Sequence, residues 1–243
     1  MAVDDISGRV ALVTGGGRGI GRAISLALAR AGAPVAVNWV ANEGAADDTV
    51  TAVKAAGGRA LAVQGDVADG AAVERMVAAV EAQLGPVDIL VNNAGGGPVL
   101  AIEDTDEAAF VAAFEQNLKS AFLVTQRALP GMRARRWGRV VMIGSGAARA
   151  GGRVGVHYTA AKAGLEGMAR AYALRLAPEG VTVNTVAPQA IVTDMLPEGS
   201  DPSRVPVGRF GTAGEVAEAV VTVARTGFMT GQTIYINGGT FFT

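Results

Sequence analysis

The chain has 243 residues, 50% of them hydrophobic and 18% charged, with 21 basic side chains against 22 acidic ones. A chain of this size buries about three-quarters of its unfolded surface and needs no covalent staples; with no Cys at all, disulfides, thiolate nucleophiles, iron–sulfur clusters and Cys-ligated zinc are excluded. The single His, His157, argues against a His-rich metal site or a Ser-His-Asp hydrolase, and the balanced charge, without a long basic run, argues against nucleic-acid or membrane-surface binding.

The first eight residues carry Asp4 and Asp5 and lead into an apolar run of only five, Val10–Thr14. That run is too short for a secretory leader or a membrane span, so a cytoplasmic chain is expected. From there short apolar runs alternate with helical stripes. Residues 9–14 read as a strand and 20–31 as a helix stopped at Gly32. A strand at 34–39 and a helix at 43–56 follow, then a strand at 59–63, a helix at 71–84 and a strand at 87–91. Residues 106–129 read as one long helix ending before Pro130. The remainder gives strands at 139–144 and 181–187, helices at 158–176 and 214–224, and a last strand at 233–236. Seven strands of near-continuous Val, Ile, Leu and Ala between helices predict an α/β fold, a doubly wound parallel sheet with helices on both faces. Its crossovers are expected to be right-handed, and the whole chain, 1–243, is expected to form one domain.

Strand one runs into Thr14-Gly-Gly-Gly-Arg-Gly-Ile-Gly21, and a helix follows. Here the backbone must turn sharply, admit a pyrophosphate against its amides and aim a helix N-terminus at negative charge; glycine permits all three because it lacks a Cβ. The strand–turn–helix context makes this a dinucleotide-binding loop. Tyr158 and Lys162 stand four residues apart on one helix, so they share a face and an ammonium sits near a phenol. With three Tyr and three Lys in the chain, such a pair is not expected by chance. Two neighbouring cations, Lys162 and an oxidised nicotinamide, are expected to lower the Tyr158 pKa below its usual value near 10.

The glycines at 15, 19 and 21 follow Thr14 in a TGxxxGxG spacing that resembles the short-chain dehydrogenase/reductase family. The resemblance recurs along the chain: Asn92-Asn93-Ala94-Gly95 after the fourth strand, Asn117 on the long helix, Ser145 after the fifth strand, and Tyr158-xxx-Lys162 thirteen residues beyond that Ser. It implies a Rossmann-like fold and a catalytic set of Asn117, Ser145, Tyr158 and Lys162. In that set Tyr158 exchanges the proton, Ser145 hydrogen-bonds the carbonyl oxygen, Lys162 holds the nicotinamide ribose, and Asn117 supports a proton-relay water. It also implies cofactor contacts from Gly15, Arg18, Gly19, Ile20, Gly21, Asn38, Asp66, Val67, Asn93, Ala94, Gly95, Tyr158, Lys162, Pro188, Ile191 and Thr193. No acid follows strand two until Glu43, while Arg18 lies in the glycine loop. A 2′-phosphate needs cations where a free 2′-hydroxyl needs an acid, so NADP(H) is favoured over NAD(H), with Asn38 as a further phosphate donor. Asp66 is read either as an adenine contact or as a helix N-cap. His157 is read as lining the cleft or touching a neighbouring subunit, not as catalytic.

The family usually has Pro-Gly where this chain has Pro188-Gln189. The substitution is expected to alter the loop and narrow the substrate mouth, ahead of a short Pro-containing lid at about 189–208. Segments such as GRFGTAGEVAEAV and TGQTIYINGG resemble bacterial 3-oxoacyl-carrier-protein reductases. The resemblance implies reduction of a 3-oxoacyl thioester, delivery by acyl carrier protein, and no metal. A dehydrogenase of a sugar, polyol or cyclic secondary alcohol is the alternative, and a non-catalytic NADP sensor the remote one. Arg133, Arg135, Arg136 and Arg139 are read as basic surface for an acidic carrier or as a solvated helix end, and Arg149 and Arg153 as anion ligands or solvated. Phe110, Phe114, Leu118 and Phe122, with Leu165, Met168, Tyr172 and Leu176, either pack on the sheet or pair subunits; a homotetramer is expected.

Overall fold

The computed structural model describes residues 3–193, 196 and 199–242. Seven strands, β1 (Val10–Val13), β2 (Val35–Trp39), β3 (Ala60–Gln64), β4 (Val87–Asn92), β5 (Gly138–Ile143), β6 (Val181–Pro188) and β7 (Thr233–Ile236), form one sheet in the order β3-β2-β1-β4-β5-β6-β7. Every pairing is parallel. Helices α1 (Gly19–Arg30), α2 (Glu43–Ala55) and α8 (Ala213–Arg225) bury Ile24, Leu28, Val50, Val53 and Val216 against one face. Helices α3 (Gly70–Gln83), α5 (Ser120–Arg135) and α7 (Val156–Leu176) bury Met76, Val80, Val124, Met132 and Leu165 against the other. Both faces are covered, which is why the strands read as unbroken apolar runs. The strand order reverses between β1 and β4, and the crevice outside their carboxyl ends is where a doubly wound sheet binds ligands. Among the described residues no helix is long and apolar enough to cross a membrane.

The long helix differs from its reading. It begins as α4 (Glu107–Phe114), widens into a π-turn at Glu115–Lys119 and continues as α5 straight through Pro130 to Arg135. An interior Pro removes one helical hydrogen bond and costs roughly 3 kcal/mol. Here the ring faces solvent while Ala128, Leu129 and Met132 beside it are buried on the sheet. Burial of those three side chains outweighs the lost bond, and the helix passes through. It stops only at Arg136, in the left-handed conformation with φ 52°.

Of the two readings of the four arginines, the exposed helix end holds for Arg133, Arg135 and Arg136, and the carrier surface is not favoured because they lie away from the crevice. Arg133, Arg135 and Arg136 close α5 and Arg139 opens β5, so all lie at the amino-terminal edge of the sheet, opposite the crevice. They are also engaged. Arg133 pairs with Glu179, Arg135 with Asp88, and buried Arg139 with Asp4, while Arg136 donates to the Pro178 carbonyl. Arg9 and Arg139 both stack on Trp137, 4.2 and 4.3 Å from its ring centre. The strand read at 139–144 already placed Arg139 at its amino-terminal end; the acids these cations meet come from distant parts of the chain and were not legible.

Among the described residues two non-glycine positions hold a left-handed backbone, Arg136 and Ala190. Ala190 holds φ 54° just after β6, a left-handed conformation that costs a residue with a Cβ about 1–2 kcal/mol. Gly relieves that strain but loses more chain entropy on folding. Ala190→Gly is therefore expected to stabilise the protein by about 0.5–1 kcal/mol, read as a higher unfolding midpoint in urea at unchanged slope.

Candidate functional site

The glycine turn between β1 and α1 is held from four sides before any ligand is considered. Gly15 and Gly19 have φ of 60° and 52°, which only glycine adopts without cost. A Cβ on Gly21 would lie 2.2 Å from the Gly15 carbonyl oxygen and 2.6 Å from Asn93 Nδ2, so no larger residue fits. Asn93 donates its side-chain amide to the carbonyls of Thr14 and Gly15 at 2.9 and 3.1 Å. Thr14 Oγ1 in turn accepts from the amides of Asn93 and Ala94, both at 2.9 Å. Ser25 donates to the Gly21 carbonyl at 2.9 Å and Thr49 to that of Gly17 at 3.1 Å. Of these fasteners Ser25 and Thr49 escaped sequence reading. Each is a buried hydroxyl inside an amphipathic helix, a pattern indistinguishable from a small core residue.

Asn38 is corrected by the same geometry. It is buried, accepts from Gly15 N–H at 3.2 Å, and commits its own amide to the carbonyls of Trp39, Val63 and Gly65. It braces the turn and has no donor left for a phosphate. Asp66 Oδ1 accepts from Ala68 N–H at 2.9 Å, and the N-cap of α3 is Asp69 instead; the N-cap alternative for Asp66 falls away.

A cleft of about 630 Å³ opens over the carboxyl ends of the strands. It is lined by Gly15, Arg18, Gly19, Ile20, Gly21, Asn38, Asp66, Val67, Asn93, Ala94, Gly95, Tyr158, Lys162, Pro188 and Thr193 among the expected residues. Trp39, Val40, Ala41 and Asn42 form its wall beyond β2, with Gln116, Ile143 and Gly144 toward β5. The charged lining groups are Arg18, Asp66 and Lys162. Ile191 does not line it: the side chain is buried in the core, bridged to Gly211, whose added Cβ would meet Ile191 Cδ1 at 2.5 Å. Of the expected lid, residues 194, 195, 197 and 198 lie outside the described residues.

At the β5 end of the cleft four polar side chains converge. Lys162, 4% exposed, donates to the Ile143 carbonyl at 2.9 Å, and its Nζ stands 5.7 Å from the centre of the Tyr158 ring. Ser145 follows β5, accepts from Ala147 N–H at 3.2 Å, and its hydroxyl hydrogen-bonds that of Tyr158. Asn117 sits in the π-turn, accepting from Gly96 N–H and donating to the Gly96 and Ala113 carbonyls. A Cβ on Gly95 would lie 2.6 Å from Asn117 Oδ1 and 3.3 Å from Lys162 Nζ, so this glycine leaves room for both side chains. π-turns recur where a helix must aim a side chain into a site; no sequence period announces one.

The electrostatics revise one expectation. Burial pushes the Tyr158 phenol above its ordinary value, with the Ser145 hydrogen bond acting against that. Burial outweighs the Ser145 bond, and Lys162, its Nζ 5.7 Å from the ring centre, does not reverse the rise; a bound nicotinamide cation would act in the lowering direction. Burial likewise lowers Lys162, from 10.5 to about 8. His157, beside Tyr158, is buried with both ring nitrogens lacking hydrogen-bond partners and packs against Gly155; it is not exposed toward a neighbouring subunit.

A parallel sheet with a fastened glycine turn at its switch point, and a Ser–Tyr–Lys–Asn group at the far end of the same cleft, defines a dinucleotide-dependent oxidoreductase. The chain belongs to the short chain dehydrogenase family, whose model matches residues 9–203. It is 38% identical over 239 residues to the 3-oxoacyl-[acyl-carrier-protein] reductase FabG of Staphylococcus aureus (strain Mu50 / ATCC 700699), covering 95% of this chain and 97% of that protein. It is 42% identical over 243 residues to the acetoacetyl-CoA reductase of Shinella zoogloeoides, covering 96% and 99%. In structure it matches a blue fluorescent protein from a metagenomic library, crystallised in complex with NADPH, with TM-score 0.91 and 35% identity over 98% of this chain and 100% of that one.

Proposed function

We propose that this chain, acting as one domain, is an NADP(H)-dependent reductase that converts the ketone of a 3-oxoacyl thioester to a secondary alcohol. The observation that carries the reading is the convergence of Tyr158, Ser145, Lys162 and Asn117 at one end of a glycine-lined cleft. The cleft fits a dinucleotide. Gly15 holds a positive φ and Gly21 leaves bare backbone where a Cβ would collide, and α1 presents its N-terminus to the same place, the arrangement that suits a pyrophosphate. Arg18, Trp39 and Asn42 line the β2 side, and the acid of the lining, Asp66, follows β3 and not β2, which supports a 2′-phosphate over a free 2′-hydroxyl. The bound cofactor supplies the hydride.

The chain's own residues supply the proton and the charge stabilisation. A phenol raised by burial stays protonated at neutral pH, so Tyr158 is poised to donate to an oxygen gaining negative charge. Ser145 hydrogen-bonds that oxygen and holds it in line. Lys162 orients the ribose and stabilises the phenolate left behind. Asn117, fixed to Gly96, positions the path by which the proton is replaced. In this reading Arg149 and Arg153, exposed and outside the ion pairs of the described residues, supply the basic surface for the thioester's carrier. The groove of about 490 Å³ lined by Phe110, Phe114, Leu118, Phe122 and Met168 receives a second copy of the chain in a homotetramer. Leu165 and Leu176, by contrast, face the core. The protein works in the cytoplasm.

Initial rates with acetoacetyl-CoA, sugars and cyclic ketones, each with NADPH and NADH, test this reading. Thioester turnover with NADPH is expected; turnover of only sugars or cyclic ketones would move the substrate to the alternative class. Arg18→Glu is expected to lower the preference for NADPH over NADH by about 10–100-fold, the worth of one charge-assisted hydrogen bond, with the change carried by the KM for NADPH.

A further inference from the structure

Beyond β2 the polar side chains of the cleft lining are Asn38 and Asn42, with Arg18 entering from the glycine turn. Asn38 is committed to backbone partners. Asn42 is only half committed. It is the N-cap of α2, its Oδ1 accepting from Ala45 N–H at 3.0 Å. That bond decides which end of the carboxamide faces the helix, because only the oxygen can accept. Nδ2 is turned the other way and has no acceptor among the described residues, on an exposed side chain that lines the cleft.

The glycine turn brings a cation to this cap. Gly17 lies on the first turn of α2: a Cβ added there would stand 3.0 Å from Ala46 N and 3.1 Å from the Ala45 carbonyl carbon. Thr49, one turn further along α2, donates to the Gly17 carbonyl at 3.1 Å. Turn and helix are thus fastened together, and Arg18 is the next residue after the fastening. Its guanidinium makes no ion pair or hydrogen bond with the described residues, and it lines the same cleft. Glu43, the acid beside Asn42, is not part of the lining.

We propose that Asn42 is a specificity-determining residue for the cofactor: its oxygen caps α2 while its nitrogen donates to the 2′-phosphate of NADP(H), beside Arg18. The inference rests on the NADP(H) part of the reading above and adds an uncharged phosphate ligand in place of Asn38. The two roles use different atoms, so they can be separated. Asp caps a helix about as well as Asn, and Gly nearly so; neither side chain has a hydrogen to donate at neutral pH.

Fluorescence titration of NADPH and NADH onto the protein, with no ketone present, tests this. The wild type is expected to bind NADPH more tightly than NADH. Asn42→Gly is expected to raise the Kd for NADPH about tenfold, the effect of losing one hydrogen bond to a charged group, and to leave that for NADH unchanged. Asn42→Asp is expected to raise it further, since a carboxylate then faces the phosphate. Displacement of bound fluorescent nucleotide by 2′,5′-ADP should weaken in both variants while displacement by 5′-AMP does not, which puts the loss at the 2′ position. Both variants are expected to unfold close to the wild-type urea midpoint. An unchanged Kd for NADPH in Asn42→Gly overturns the inference, as does an equal rise for NADH, and either result leaves Arg18 as the phosphate's ligand. A rise confined to Asn42→Asp also overturns it, because repulsion alone would explain that. A wild type that binds the two nucleotides equally removes the NADP(H) reading itself, and this inference with it.

Discussion

Replacement of Tyr158 by Phe is expected to lower NADPH-dependent ketone reduction by about a thousandfold, within the range set by one general acid. The ring keeps its place, since it is packed by burial and the hydroxyl contributes only the bond to Ser145. Binding of the nucleotide should therefore persist, so NADPH fluorescence titration of the variant is expected to match the wild type while turnover vanishes. Equal turnover would remove Tyr158 from the chemistry and leave a nucleotide-binding protein in the fold of an enzyme. The raised phenol also sets a direction. A group that holds its proton at neutral pH serves reduction readily, and alcohol oxidation is expected to gain as the solution is made alkaline.

Lys162→Met is expected to cost about a hundredfold in kcat/KM, the lower end of what loss of one preorganised charge does. Its signature is in the pH profile. With Lys162 lowered to about 8, the free wild-type enzyme carries the ammonium below that pH and sheds it above. Reduction should hold level up to about 8 and fall beyond it, whereas Lys162→Met should lack that limb. Stability moves oppositely. The unfolded chain binds this proton up to 10.5 and the folded chain only to about 8, so the wild type gains stability as pH rises through that window. Below it, burying the ammonium costs about 3 kcal/mol. Met carries no such charge, so the variant is expected to melt at least as high as the wild type at pH 7, although the Ile143 carbonyl loses its donor. A variant both inactive and strongly destabilised would instead make Lys162 a structural pin.

The strands and most helices were legible because their apolar runs are long and bounded by glycine, and the site was legible because its motifs keep fixed spacing. What escaped the sequence was decided by long-range neighbours. Pro130 reads as a stop, yet the helix crosses it because its buried face holds on both sides. Asn38 reads as a free donor until β3 supplies the carbonyls that consume it. Arg133, Arg135, Arg136 and Arg139 read as a carrier surface or a solvated helix end, and only Asp4, Asp88 and Glu179, from distant parts of the chain, show how they are paired. Ile191 sits next to lining residues and still turns inward, since a bridge to Gly211 fixes the backbone there. Fold class follows from local periodicity; the partner of a given polar atom does not.

The fastening of Thr14 to Asn93 and Ala94 spans 79 and 80 residues of chain, and Lys162 reaches back 19 to Ile143. During synthesis Ser25, Asn38 and Thr49 can brace the turn early, but its ties to Asn93 and Ala94 form only once the fourth strand has docked. The redox carrier would then be captured only by a nearly finished molecule, and added carrier would shield completed chains from proteases while leaving truncated ones to be degraded.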